Sequence, residues 1–136
     1  MDERDQELID RARAIIRGAF RDTRHKVGSA VRMRSGKVYA AVNLDTHVGR
    51  IAVCAEAVAL GKAVSEGEDE IETIVAVLQK SPGDKTPMLA SPCGMCREMI
   101  SDYGPNSKVI VQTDNGPETL PISELLPLKF RNPTRK

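Results

Sequence analysis

Apolar residues recur along residues 3–20 as Leu8, Ile9, Ala12, Ile15, Ile16 and Phe20, close to a 3.6-residue stripe, and predict an amphipathic first helix. The pattern then changes. Gly28-Ser29-Ala30-Val31-Arg32-Met33 and Val38-Tyr39-Ala40-Ala41-Val42-Asn43 predict two strands joined by a hairpin turn at Ser35-Gly36. Residues 54–65 read as a second helix ending near Gly67. An acidic loop from Glu66 to Glu72 leads into Thr73-Ile74-Val75-Ala76-Val77-Leu78, whose near-continuous apolar run predicts a central strand covered on both faces. Beyond a turn-rich segment at 80–85, a helix is predicted over 93–103, starting just behind Pro92. Val109-Ile110-Val111 predicts another buried strand and Asn115-Gly116-Pro117 a turn, with room for an extra strand near Thr119-Leu120. Ser123 is expected to cap a short last helix. The order α-β-β-α-β-α-β predicts a three-layer α/β/α domain around one mixed sheet of about five strands. With no repeat or long linker, residues 1–136 are expected to be a single domain.

Composition narrows the function. Hydrophobic residues make up 40% and charged residues 29%, an ordinary globular mixture. Twenty Lys+Arg against nineteen Asp+Glu leave a net charge of +1, which argues against a polynucleotide partner. Phe20, Phe130, Tyr39 and Tyr103 are too few to stack an extended single strand. No stretch approaches the ~18 apolar residues that span a bilayer, so no membrane partner is expected. The acidic start, MDERDQELID, is unlike a signal peptide. Three cysteines, an odd number, favour free thiols in a reducing cytoplasm over a disulfide framework. The basic tail, Lys129, Arg131, Arg135 and Lys136, is expected to be solvated.

Those cysteines carry the chemistry. Cys54, Cys93 and Cys96 all fall at predicted helix N-termini, where the helix dipole favours thiolate. Cys93 and Cys96 stand three apart, so their sulfurs share one face of a first turn and form a C-x-x-C half-site for zinc. Cys54 can supply a third thiolate. Three protein ligands leave a tetrahedral zinc open to water, which then needs a nearby base. Glu56, two residues beyond Cys54, is placed for that task. The competing reading is a closed structural site completed by His25 or His47.

Cys54-Ala55-Glu56 followed by Pro92-Cys93-Gly94-Met95-Cys96-Arg97 resembles the paired signature of the zinc-dependent cytidine deaminases, small cytidine deaminases and blasticidin-S deaminases included. The likeness extends through Val27-Gly28-Ser29-Ala30-Val31 to Leu125-Leu126-Pro127, nearly the whole chain. It implies hydrolytic deamination: water activated by zinc attacks C4 of cytosine, and Glu56 protonates N3 and then the departing amine. By the same resemblance the backbone around Ala55 and Ser91 binds the base, and Asn43 and Asp45 bind the sugar. His25 stands where the family has an aromatic against base or sugar, and Phe130 closes a pocket across a subunit interface or sits in the core. Three thiolates on Zn²⁺ sum to a net negative centre, and Arg97 is the candidate cation to offset it. Small relatives imply a homo-oligomer, a tetramer ahead of other assemblies.

The chain departs from that pattern in places. Ala57 stands where an Arg is common, Cys96-Arg97-Glu98 replaces Cys-Arg-Gln, and Asp45 is one methylene shorter than the usual Glu. Thr46-His47-Val48-Gly49-Arg50 replaces an Asn-Ala-Ser-Tyr-Gly motif. Blasticidin-S deaminases share the lost Arg, whereas the eleven-residue step from Asn43 to Cys54 is more like cytidine deaminases. The expected substrate is therefore a free small-molecule nucleoside, cytidine or deoxycytidine, with blasticidin S as the runner-up. A non-catalytic zinc-binding interaction module is the rival from another class.

Overall fold

The structure, a computed structural model, describes residues 1–135, so the last residue of the basic tail, Lys136, lies outside it. Strand residues sort by parity onto two faces, as a two-residue period requires. Ala30, Ala40, Val75, Val77 and Ile110 pack on one side with Leu8, Ile9, Ala12 and Ile16 of helix α1, Glu3–Ala19. Val31, Met33, Ala41, Ile74, Val109 and Val111 pack on the other with two further helices, α2 (Ala55–Ser65) and α3 (Gly94–Tyr103). The predicted three layers are therefore present.

The sheet has six strands rather than about five. Strands β1 (Val27–Met33), β2 (Val38–Val42), β3 (Ile71–Leu78), β4 (Met88–Ala90), β5 (Lys108–Thr113) and β6 (Gly116–Pro121) run in the order β2-β1-β3-β5-β6, with β4 also on β3. Among the described residues only β3 and β5 pair in parallel. One side of β3 is shared: Thr73–Val75 pair with β5, and Ala76–Leu78 pair with β4. β4 escaped the sequence pattern because three residues are too few to show a period. β6 takes Pro117 and Pro121 within the strand because it is an edge, where a lost N–H breaks no ladder. The short last helix, α4 (Ile122–Leu125), starts behind Pro121, so Ser123 lies inside it and is not its cap. Among the described residues no helix is long and apolar enough to cross a membrane.

Two features hold α1 to the sheet. Gly28 gives the close approach: a Cβ there would lie 2.5 Å from the Ala12 carbonyl oxygen and 2.9 Å from Ile16 Cβ. The second is ionic. Arg32, 5% exposed, donates from Nη2 to Asp5 Oδ1 at 2.9 Å and from Nε to Glu72 Oε1 at 2.6 Å. Its Nη1 donates to the Arg4 carbonyl, and Thr119 Oγ1 donates to the other Asp5 oxygen at 2.8 Å. The network joins α1, β1, β3 and β6 on the face away from the cysteines. Removing one partner of a buried pair leaves the other charge uncompensated, so Asp5→Ala should destabilise the fold by about 3 kcal/mol. Urea denaturation checks this, and an unchanged midpoint would contradict it.

Candidate active site

Two chain segments deliver the cysteines, each ending as a helix begins. Behind β2, Leu44 and Val53 exchange backbone hydrogen bonds of 2.9 Å in both directions. That bridge closes the loop between them, which contains a 3₁₀ turn at Gly49–Ile51, and sets Cys54 as the N-cap of α2. On the other side β4 runs through Ser91 and the buried Pro92 into Cys93, the N-cap of α3, with Cys96 in the first turn. The Cys54 side chain is not used to cap its helix.

The sulfurs of Cys54, Cys93 and Cys96 lie within 4.8 Å of one another, and those of Cys54 and Cys93 are 3.9 Å apart. Tetrahedral zinc with bonds of about 2.3 Å would hold its sulfurs about 3.8 Å apart, so the thiols fit that ion. No histidine joins the cluster among the described residues. A three-sulfur set is the donor set of an open catalytic site, not of a closed structural one. Electrostatics differ among the three. Hydrogen bonding from the Cys96 backbone N–H brings the Cys93 thiol below its ordinary range. Burial pushes Cys54 up, and pushes Cys96 up more strongly. The N-terminal ends of α2 and α3 both favour negative charge at this point.

Beside the thiols is a pocket of about 300 Å³. Asn43, Asp45, Cys54, Ala55, Glu56, Ser91 and Cys93 line it, so it gathers seven of the residues singled out from the sequence. Glu56 is 6% exposed, and among the described residues its carboxylate makes no side-chain hydrogen bond or ion pair. Burial moves that carboxyl above the usual carboxylate range. The walls include residues the sequence reading passed over: Val27, Leu44, Ala52, Val53, Ala76 and Ala90. Ala76 and Ala90 are register partners on β3 and β4, and their small side chains leave the floor open. Recognising them would have required recognising β4.

The other predicted residues are placed differently. Asn43 Oδ1 accepts from the N–H groups of Lys26 and Val27, and its Nδ2 donates to the Arg24 carbonyl at 3.0 Å. His25 is outside the pocket lining, with Nδ1 donating to the Asn43 carbonyl at 2.7 Å. Arg97 donates from Nε to the Pro92 carbonyl at 2.9 Å and from Nη1 to the Leu125 carbonyl at 3.0 Å. It therefore braces the turn before Cys93 against the end of α4. Phe130 is 76% exposed and lies outside the pocket, which removes the core-residue alternative. The tail is not simply solvated: the Lys129 side chain is 8% exposed and its ammonium donates to Ser101 Oγ and Asp102 Oδ1.

Comparison with known proteins agrees with this geometry. Residues 2–113 match the family model described as the cytidine and deoxycytidylate deaminase zinc-binding region. The chain is 41% identical over 130 residues to the blasticidin-S deaminase of Bacillus cereus, covering 94% of this chain and 93% of that one. It is 34% identical over 128 residues to the cytidine deaminase of Halalkalibacterium halodurans, covering 92% of each. The crystal structure of the cytidine deaminase from Mycobacterium tuberculosis superposes with a TM-score of 0.77 at 23% identity, over 96% of this chain and 100% of that one.

Freshly purified protein is expected to carry one zinc per chain by elemental analysis, and Cys96→Ala to lose most of it. Glu56→Gln removes a buried charge that no other side chain pairs with, so it should retain zinc and melt no lower than the parent at neutral pH. A marked drop in its melting temperature would show that the carboxylate holds the fold together.

Proposed function

The chain belongs to the cytidine and deoxycytidylate deaminase family, and from that premise we propose that it hydrolyses the 4-amino group from a free cytosine nucleoside. Cytidine or deoxycytidine would yield uridine or deoxyuridine plus ammonia. One observation carries the reading: Glu56, buried and without a side-chain partner, lines the same pocket as Cys54 and Cys93. A carboxylate kept in that state serves proton transfer better than it serves stability.

Cys54, Cys93 and Cys96 are the zinc ligands in this reading. Zinc, when bound, supplies the Lewis acidity that lets water ionise near neutral pH. Glu56 takes a proton from the attacking water and gives it to N3, then carries a second proton to the amine. One water is added and one ammonia leaves. The first backbone N–H groups of α2, at Ala55, and the backbone at Ser91 hold the base. Asp45 meets the sugar, while Asn43 with His25 fixes the shape of the sugar-side loop. Arg97 keeps the Cys93 turn in place and adds positive charge near three thiolates. Phe130 closes the pocket of a neighbouring copy, for which its 76% exposure and that of Leu128, Val48, Ile51 and Met95 leave apolar surface. The protein acts as a single-domain homo-oligomer, a tetramer ahead of other assemblies, in the cytoplasm, with neither polynucleotide nor membrane as partner.

A second reading, deamination of blasticidin S, rests on its own observations. The 41% identity to the Bacillus cereus blasticidin-S deaminase is accompanied by Ala57 in place of the Arg common in small cytidine deaminases. Asn43 also spends both Oδ1 lone pairs and one N–H on the backbone of residues 24–27, which leaves little of it for a ribose hydroxyl.

Ammonia release from cytidine, deoxycytidine and blasticidin S separates the two readings. Turnover of cytidine or deoxycytidine supports the first, and turnover of blasticidin S alone moves the assignment to the second. In either case Glu56→Gln should lower kcat by roughly 10²–10⁴-fold with zinc retained. A zinc-loaded protein that releases ammonia from none of the three would overturn both.

A further inference from the structure

Glu98 stands where the family resemblance leads one to expect Gln, and the proposed reaction gives it no task. Asp102 lies four residues on, on the same side of α3, and like charges at that spacing repel. Asp102 also sits at the negative end of the α3 dipole, where the last turn carries no basic residue. The missing cation comes from the C-terminal segment. Lys129 Nζ donates to Asp102 Oδ1 at 2.6 Å and to Ser101 Oγ at 3.0 Å, and lies 3.8 Å from Glu98 Oε1. With 8% of its side chain exposed, the stem is covered and the ammonium is held against α3. Resting on the proposed docking of Phe130 on a neighbouring copy, we infer that Lys129 is its positioning residue. The clamp on α3 fixes the turn at 126–128, so that Leu128 and Phe130 stand out towards the pocket rim of a second copy.

The turn is fixed at both ends. Arg97 Nη1 donates to the Leu125 carbonyl, and Lys129 binds Ser101 and Asp102, so α3 grips the chain on either side of Leu126-Pro127-Leu128. Pro127 removes one backbone freedom from that span. Leu128 has a φ of 54°, in the left-handed region that side-chain-bearing residues rarely adopt and keep only where their surroundings impose it. Two anchors three residues apart impose it here.

What the clamp presents is apolar. Leu128 is 103% exposed and Phe130 76%, on either side of a lysine whose side chain is covered. A leucine held in strained backbone and in full contact with water contributes nothing to the isolated chain. A matching surface is present on the same chain: Leu44, Val48 and Ile51 are exposed along the loop that leads to Cys54, and Leu44 lines the thiol pocket. Every copy therefore carries both the protruding pair and an apolar rim to receive it, which makes a second copy the occupant.

Sedimentation equilibrium of the zinc-loaded chain tests the clamp, with Lys129→Met, which removes the ammonium and keeps an apolar stem, beside Phe130→Ala. Each should raise the dissociation constant of the oligomer by about tenfold or more, with zinc content unchanged. The double variant should dissociate no more readily than the worse single variant, because both act through one contact. Lys129→Arg, which keeps the charge, should assemble more tightly than Lys129→Met. If Lys129→Met does not fold, Glu98→Gln/Asp102→Asn opens the same clamp from the α3 side and should weaken assembly likewise. A Lys129→Met chain that melts lower yet assembles as the parent does would leave the lysine a structural role only and overturn the clamp. Effects that add in the double variant, or a Phe130→Ala chain that assembles normally, would overturn it too. A parent chain that stays monomeric at every concentration removes the docking of Phe130 as well. Ammonia release by the parent is read separately, so the deaminase reading stands or falls apart from all of these.

Discussion

Two helices beginning at the same place, each with a cysteine as its cap residue, impose the constraint on which the rest of this fold depends. The starts of α2 and α3 bring three sulfurs within 4.8 Å, and neither helix can shift along its axis without spoiling that spacing. The sheet supplies the registration. The side of β3 that pairs with β5 at Thr73–Val75 passes to β4 at Ala76, and β4 leads directly through Ser91 and Pro92 into α3. On the opposite flank, the Leu44–Val53 bridge delivers α2 from the end of β2. The pocket lies between these two deliveries, beside the thiols and over the paired alanines.

Stability and chemistry are kept on opposite faces of the sheet. On the α1 face Arg32 is buried with its donors engaged by Asp5, Glu72, Thr73 and the Arg4 carbonyl. On the cysteine face Glu56 is buried with no side-chain partner among the described residues, and desolvation raises its pKa. One buried charge is paired and fastens four elements together; the other has no side-chain partner and faces a cavity. That contrast is expected where a protein tolerates a local cost for reactivity and holds the surrounding frame by other means.

Much of this was legible in the residues, and what escaped has physical causes. The α1 stripe, the hairpin at Ser35-Gly36 and the buried run of β3 were readable because long periodic segments state their own environment. The cysteines and Glu56 were readable because spacing along a first helical turn translates directly into geometry. β4 and the 3₁₀ turn are three residues each, too short for a period, and exist because neighbouring backbone pairs with or bounds them. Side-chain partners were the least readable. Nothing local indicates that Asn43 would bind the backbone of residues 24–27, or that Arg97 would reach the carbonyls of Pro92 and Leu125. Ser123 lost the cap position because the β6 edge runs straight into α4 through Pro121.

The central claim concerns a donor set: three sulfurs and one further position left for a light atom. X-ray absorption at the zinc edge of the purified protein reads that set directly. The account predicts three sulfur scatterers at about 2.3 Å and a single oxygen or nitrogen at about 2.0–2.2 Å, without the multiple-scattering pattern of imidazole. Four sulfurs, a histidine ligand, or a protein that holds no zinc would contradict it.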